Sequence, residues 1–106
     1  MSTISLAATP EPPYFAVIFT STRTDGDNGY TDMADAMVAL SPQQPGLLGM
    51  DSVRGNDGLG ITVSYWSSEE SIRNWKMNSE HLVAQRRGKA RWYENFVVRV
   101  AKVERA

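Results

Sequence analysis

The chain has no cysteine and a single histidine, His81. Without cysteine there is no disulfide, no thiolate nucleophile and no cysteine-ligated zinc or iron–sulfur site. One histidine excludes a multi-histidine metal cage within one chain, and no loop carries the alternating Asp/Asn/Glu pattern of a calcium site, so no metal is expected. No run approaches the ~20 apolar residues of a spanning helix, so no membrane partner is expected either. Charge of one sign is also missing: 11 Lys and Arg against 12 Asp and Glu give a formal net charge of -1. That balance offers no attraction to a phosphate backbone and argues against nucleic acid. The start, MSTISLAATPEPP, lacks a basic n-region and its apolar stretch is too short for a secretory signal, so a cytoplasmic location is the expectation.

What is present is an ordinary globular composition, 42% hydrophobic and 22% charged over 106 residues, enough for one domain with one core. A loose Pro-rich arm over residues 1–13 is expected to precede a domain over residues 14–106. YFAVIFT, Tyr14 to Thr20, is aromatic and β-branched and apolar on both faces, as a central strand requires. The loop TRTDGDNG follows, with Asn28 placed to cap a helix. Tyr30, Met33, Ala34, Met37 and Leu40 recur at three- and four-residue steps, which predicts an amphipathic helix ended by Pro42, Pro45 and Gly46.

LLGMDSVRG and GITVSYW then flank NDGL, whose Asp57-Gly58 step suits a hairpin turn between antiparallel strands. Ser67 and Glu70 have capping-box spacing, so a second helix is predicted to begin as soon as the strand ends at Trp66. Ile72, Trp75, Ser79 and Leu82 share one face of that helix, Gly88 stops it, and Asn78 and Ser79 allow a kink between Met77 and Ser79. WYENFVVRVAKVER completes the domain as a strand longer than one small sheet needs.

The order β-α-β-β-α-β predicts an α+β, ferredoxin-like fold: a four-stranded antiparallel sheet with two helices on one face. Strands that are apolar on both faces leave the other face without cover. A homodimer packed sheet against sheet, with the long last strand crossing to its partner to close a dimeric α/β barrel, resolves that.

Trp66, Trp75, Tyr65, Phe19, Met33 and Met37 form either a packed core or the lining of a pocket between sheet and helices that takes a planar apolar ligand. His81 has no Ser or Cys motif around it, so a catalytic triad is unsupported. Its ordinary pKa of about 6.5 makes it a candidate proton carrier, and a surface residue beside Glu80 is the plainer alternative. Arg86, Arg87, Lys89 and Arg91 fall at the helix end and the following connection, where positive charge complements the macrodipole; phosphate binding, which needs a concave basic surface, is the alternative. GNDGLG lies inside the hairpin and is a turn rather than a phosphate cradle.

SYWSSEESIRNWKMNSEH, AQRRGKARWY, RVAKVER and QPGLLGMDSVR together resemble the antibiotic biosynthesis monooxygenase superfamily of dimeric α/β barrels, over nearly the whole domain. The most specific part is Tyr65-Trp66, then Ser-x-x-Glu, then Trp75 and the Glu80-His81 pair. The resemblance implies a homodimer with a pocket in each subunit. Some members oxygenate aromatic phenols or quinols with molecular oxygen and no metal, flavin or haem. It implies His81 as the base, Trp66 and Trp75 as ring-holding walls, and Tyr65 or Arg99 as stabilisers of the oxyanion. A second branch of the superfamily binds and degrades haem. Trp75 matches that branch's helix tryptophan, but its axial histidine corresponds here to Gln85 or Arg86, and its strand asparagine is missing from YFAVIFT. His81 as a substitute ligand would displace the iron by one helical turn, ~5 Å. A cofactor-independent monooxygenase acting on a small aromatic compound is thus the first expectation. Haem oxygenation and a non-catalytic ligand-binding dimer are the alternatives.

Overall fold

The computed structural model describes residues 6–23, 44–87 and 93–106, and their side chains apart from those of residues 81–87 and 93–94. The first predicted helix, with Met33 and Met37, lies outside the described residues. Four strands are described, β1 (Tyr14–Arg23), β2 (Leu47–Arg54), β3 (Leu59–Trp66) and β4 (Tyr93–Val103), with one helix, α1 (Glu69–Arg87), between β3 and β4. They form one sheet in the order β2-β3-β1-β4, and every neighbouring pair is antiparallel. The most apolar strand, β1, is therefore central, and the fold is the ferredoxin-like α+β arrangement expected from the element order.

The β2-β3 hairpin turns where the sequence requires. Gly58 has φ +88°, a backbone angle that costs a side-chain-bearing residue about 1–2 kcal/mol. Asp57 Oδ1 accepts the Leu59 N–H at 3.1 Å, and the Gly55 N–H donates to the Leu59 carbonyl at 2.8 Å. The Arg23 N–H reaches the Gly58 carbonyl at 3.2 Å. That bond prolongs β1 three residues past Thr20, into the segment read from sequence as loop. In β2 the register slips between Leu47, paired with Trp66, and Gly49, paired with Tyr65. Leu48 is the surplus residue of a β-bulge.

The helix starts one residue later than the capping-box spacing implies. The Ser67 N–H is held by the Gly46 carbonyl at 2.8 Å, so Ser67 stays with the strand end. Ser68 Oγ accepts the Ser71 N–H at 3.1 Å and is the N-cap. Glu69 and Glu70 occupy the first turn, where negative charge favours the helix. Gly46, φ +86°, passes so close to Ser71 and Ser67 that a Cβ there would overlap Ser71 Oγ. The helix runs without interruption for 19 residues. Ser79 Oγ donates to the Lys76 carbonyl at 3.0 Å, which satisfies its hydroxyl inside the helix and removes the reason for a kink.

The two faces of the sheet differ. Trp66, 0% exposed, packs its indole on Trp75 of α1 with ring centroids 5.9 Å apart. Burying one such ring contributes roughly 4–6 kcal/mol by area. On the opposite face Tyr14 meets Tyr65 edge-on at 5.9 Å, and the N-terminal arm lies over them. The Ala7 N–H donates to Asp51 Oδ1 at 2.8 Å, and Thr9 Oγ1 donates to the Tyr14 hydroxyl at 3.0 Å. The arm leaves Tyr14 and Ala16 each 5% exposed. No helix among the described residues is long and apolar enough to cross a membrane.

Candidate functional site

Residues directly opposite on paired strands share a face, so the register lists the floor beneath α1 row by row. Leu47, Trp66, Phe15 and Lys102 form the first row, and Met50, Ser64, Val17 and Val100 the second. Ser52, Thr62, Phe19 and Val98 follow, then Arg54, Gly60, Ser21 and Phe96. Phe15 and Phe19 are four residues apart and Phe15 and Ser21 six, so about 13 Å separates the first row from the third and about 20 Å the first from the last. Trp66 and Trp75 mark one end, and Phe19 stacked on Phe96 at 5.8 Å marks the other.

Polarity divides this floor lengthwise. On the β2-β3 side Ser64 Oγ accepts the Trp66 Nε1–H at 2.8 Å, and Ser52 Oγ and Thr62 Oγ1 are 2.7 Å apart. Ser64 is 6% exposed. The indole takes one of its two lone pairs, and among the described residues its O–H proton has no acceptor. On the β1-β4 side the floor is Val17, Phe19, Phe96, Val98 and Val100, of which Phe96 is 61% exposed and Val98 and Val100 about half. The charged residues in these rows are Arg54 and Lys102, both cations. An apolar platform beside a line of hydroxyls suits a flat ring carrying an oxygen along one edge.

Of the residues singled out from sequence, Trp66, Trp75 and Phe19 are placed on this floor or facing it. Tyr65 and Arg99 are not: each alternates to the other face, Arg99 opposite Ile18, and Ile18 opposite Val63. Adjacent strand residues such as Tyr65 and Trp66 cannot share a face. The Tyr65 hydroxyl instead donates to Asp51 Oδ2 at 2.9 Å. Its pKa is raised above the ordinary tyrosine value, first by that hydrogen bond, then by burial, then by the Asp51 charge. His81 is in α1, six residues beyond Trp75; its Cα lies about 9 Å further along the axis and about 120° around it, on the helix flank. Phe96, Ser64 and Thr62 were not singled out from sequence. Only the strand register brings them onto one face, and the one available signal was the apolar alternation in β4. No group of three or more metal-ligating side chains exists among the described residues.

Residues 13–87 match the family model described as antibiotic biosynthesis monooxygenase. The chain belongs to that family. A curated relative, the uncharacterized protein YqjZ of Bacillus subtilis (strain 168), is 53% identical over 100 residues, covering 94% of this chain and 88% of YqjZ. Among solved structures, SnoaB, a cofactor-independent oxygenase from Streptomyces nogalater, superposes with a TM-score of 0.66 at 9% identity, over 90% of this chain and 97% of SnoaB. PA3566 from Pseudomonas aeruginosa gives 0.64 at 21% identity, over 92% and 98%. At these identities the two structures establish the shared fold. The family places the chain among monooxygenase-like proteins.

Proposed function

We propose that this family member is a cytoplasmic, homodimeric, cofactor-independent monooxygenase acting on a small aromatic compound of phenol or quinol type. The observation that carries the reading is the divided floor: rings on the apolar β1-β4 half, hydroxyl donors on the β2-β3 half, and cations as its charged groups. A bound phenol would rest its ring against Phe19, Phe96 and the valines and direct its oxygen toward Ser64 and Thr62. Cations and hydroxyl donors favour the phenolate over the phenol. Loss of the proton, with His81 proposed as acceptor, leaves an anion electron-rich enough to pass one electron to O₂. Recombination forms a carbon–oxygen bond, and cleavage of the O–O bond leaves one oxygen on the ring as a quinone carbonyl and the other as water. A phenol and O₂ therefore balance a quinone and water, the substrate supplying every electron. The similarity in fold to a cofactor-independent oxygenase supports this balance.

The dimer supports the site indirectly. Val53 is 69% exposed, and Leu59, Ile61 and Val97 are 39–47% exposed, on the face away from α1, an apolar surface that a second copy would cover. The test is oxygen uptake with dihydroxynaphthalenes, paired with calorimetric binding. The expected result is substrate-dependent uptake that falls at least a hundredfold in His81→Ala while binding is retained. Saturating haem is expected to leave its Soret band at the free position. Binding of the naphthalene without any uptake above the uncatalysed rate refutes the enzymatic reading and leaves a ligand-binding protein.

A further inference from the structure

The face of the sheet away from α1 carries two charged residues in its described rows, and they are of opposite sign. Its rows pair Gly49, Tyr65, Ala16 and Ala101; then Asp51, Val63, Ile18 and Arg99; then Val53, Ile61, Thr20 and Val97. Asp51 and Arg99 thus occupy one row, on opposite edge strands. Three strand spacings, about 14 Å, separate them, too far to pair within a subunit. Among the described residues Arg99 forms no ion pair, the salt bridge being Lys76–Glu80. Asp51 uses one lone pair on each oxygen, toward the Ala7 N–H and the Tyr65 hydroxyl, and keeps capacity for further donors. Beside it lies a groove of about 360 Å³ lined by Leu6, Asp51, Val53, Ile61 and Val63 and reaching the β2 edge at Met50 and Ser52. Leu6, on the latched arm, is 83% exposed there.

We infer that this face docks a second copy of the chain in one register, with Asp51 of each subunit receiving the partner subunit's Arg99 in the groove walled by Leu6 of the N-terminal arm. The inference rests on the dimer proposed above and specifies its geometry. Two identical sheets meeting face to face are related by a two-fold axis lying between them. If the axis runs along the strands, each β2 lies over the partner's β4 and the rows coincide, so both ends of the Asp51 row find the opposite charge. If it runs across the strands, β2 lies over β2, and equal charges approach at both edges. Opposite charges at facing positions also exclude the wrong docking. In the favoured arrangement the arm belongs to the interface: Leu6 lies toward the partner's Val97.

The experiment mixes two reversals. Arg99→Asp has acidic groups at both ends of the row, and Asp51→Arg has basic groups at both. Each alone is expected to dimerise at least tenfold more weakly than the unaltered chain by sedimentation equilibrium. An equimolar mixture of differently tagged variants is expected to form the heterodimer well beyond the statistical half, because both junctions then pair correctly. A statistical mixture, or homodimers of unaltered strength, overturns the inference while leaving the dimer intact. An unaltered chain that sediments as a monomer removes the dimer itself. Circular dichroism checks that each variant folds; if a reversal does not, Arg99→Gln and Asp51→Asn replace them. Then the double variant is expected to lose less affinity than the two single losses combined, and simple additivity overturns the pairing. Deletion of residues 1–8 is expected to weaken the dimer; a tighter dimer would mean that the arm obstructs the face.

Discussion

The hydrogen bond from the Trp66 indole to Ser64 is a stringent point at which to test the site, because both partners are almost wholly buried. Ser64→Ala removes the acceptor and leaves an indole N–H facing no partner, at a cost of about 1–3 kcal/mol. Trp66→Phe removes the donor and part of a fully buried ring, at about 2–4 kcal/mol. Once Trp66→Phe is in place there is no donor to orphan, so adding Ser64→Ala is expected to cost close to nothing. The double variant should therefore be more stable than the sum of single losses by about 1 kcal/mol or more. Urea unfolding followed by far-ultraviolet circular dichroism, at fixed protein concentration, measures this. With a slope of about 2 kcal/mol per molar, a loss of 2 kcal/mol moves the midpoint by about 1 M. A total stability of roughly 5–15 kcal/mol leaves all three variants folded. Equal costs for Ser64→Ala with and without Trp66→Phe, within about 0.3 kcal/mol, would refute the bond and with it the argument that the Ser64 proton is free for a ligand.

Ser68→Ala is expected to destabilise the chain by about 1 kcal/mol through loss of the helix cap, and Ser67→Ala by less; the reverse order in thermal unfolding would restore the cap to Ser67. Gly46→Ala meets both a positive φ and Ser71 Oγ, whereas Gly58→Ala meets only the φ, its nearest neighbours being 3.7 Å away. The first should cost several kcal/mol and the second about 1–2 kcal/mol in urea unfolding, and equal losses would contradict the close approach at Gly46. The raised Tyr65 pKa means that the folded state favours the neutral phenol. Its contribution is complete below the ordinary tyrosine pKa of about 10 and is lost as the pH climbs through the higher folded value. In Asp51→Asn the ultraviolet titration of this tyrosine is expected to move back toward the ordinary value, and an unchanged titration would deny the hydrogen bond.

The hairpin, the central placement of β1 and the helix after Trp66 were legible because each has a local cause: the Asp57-Gly58 step, a two-faced apolar run, and serines ahead of an apolar periodicity. The cap's position was not. In sequence Glu70 favours Ser67 by its capping-box spacing, and the long-range bond from the Ser67 N–H to the Gly46 carbonyl is what shifts the cap to Ser68. Tyr65 was read into the pocket beside Trp66, although strand alternation by itself separates neighbours; the aromatic character of the pair outweighed its period. The docking of the arm was illegible for another reason. It depends on one backbone N–H meeting a carboxylate 44 residues away in sequence, and a main-chain donor leaves no mark on residue identity. Phe96 belongs to the floor through pairing with Ser21, a relation fixed by register rather than by either residue.

The surplus residue in β2 has a chemical outcome. Counted by strict alternation from Leu47, Asp51 would project beneath α1, among the hydroxyls of Ser64 and Thr62. Leu48 reverses the parity, so Met50, Ser52 and Arg54 take the face that carries Trp66 and the carboxylate is exiled to the far side. A negative charge on that floor would raise the pKa of a phenol bound there and oppose its ionisation. One irregular peptide unit at the end of an edge strand thus sets the sign of the field over this floor.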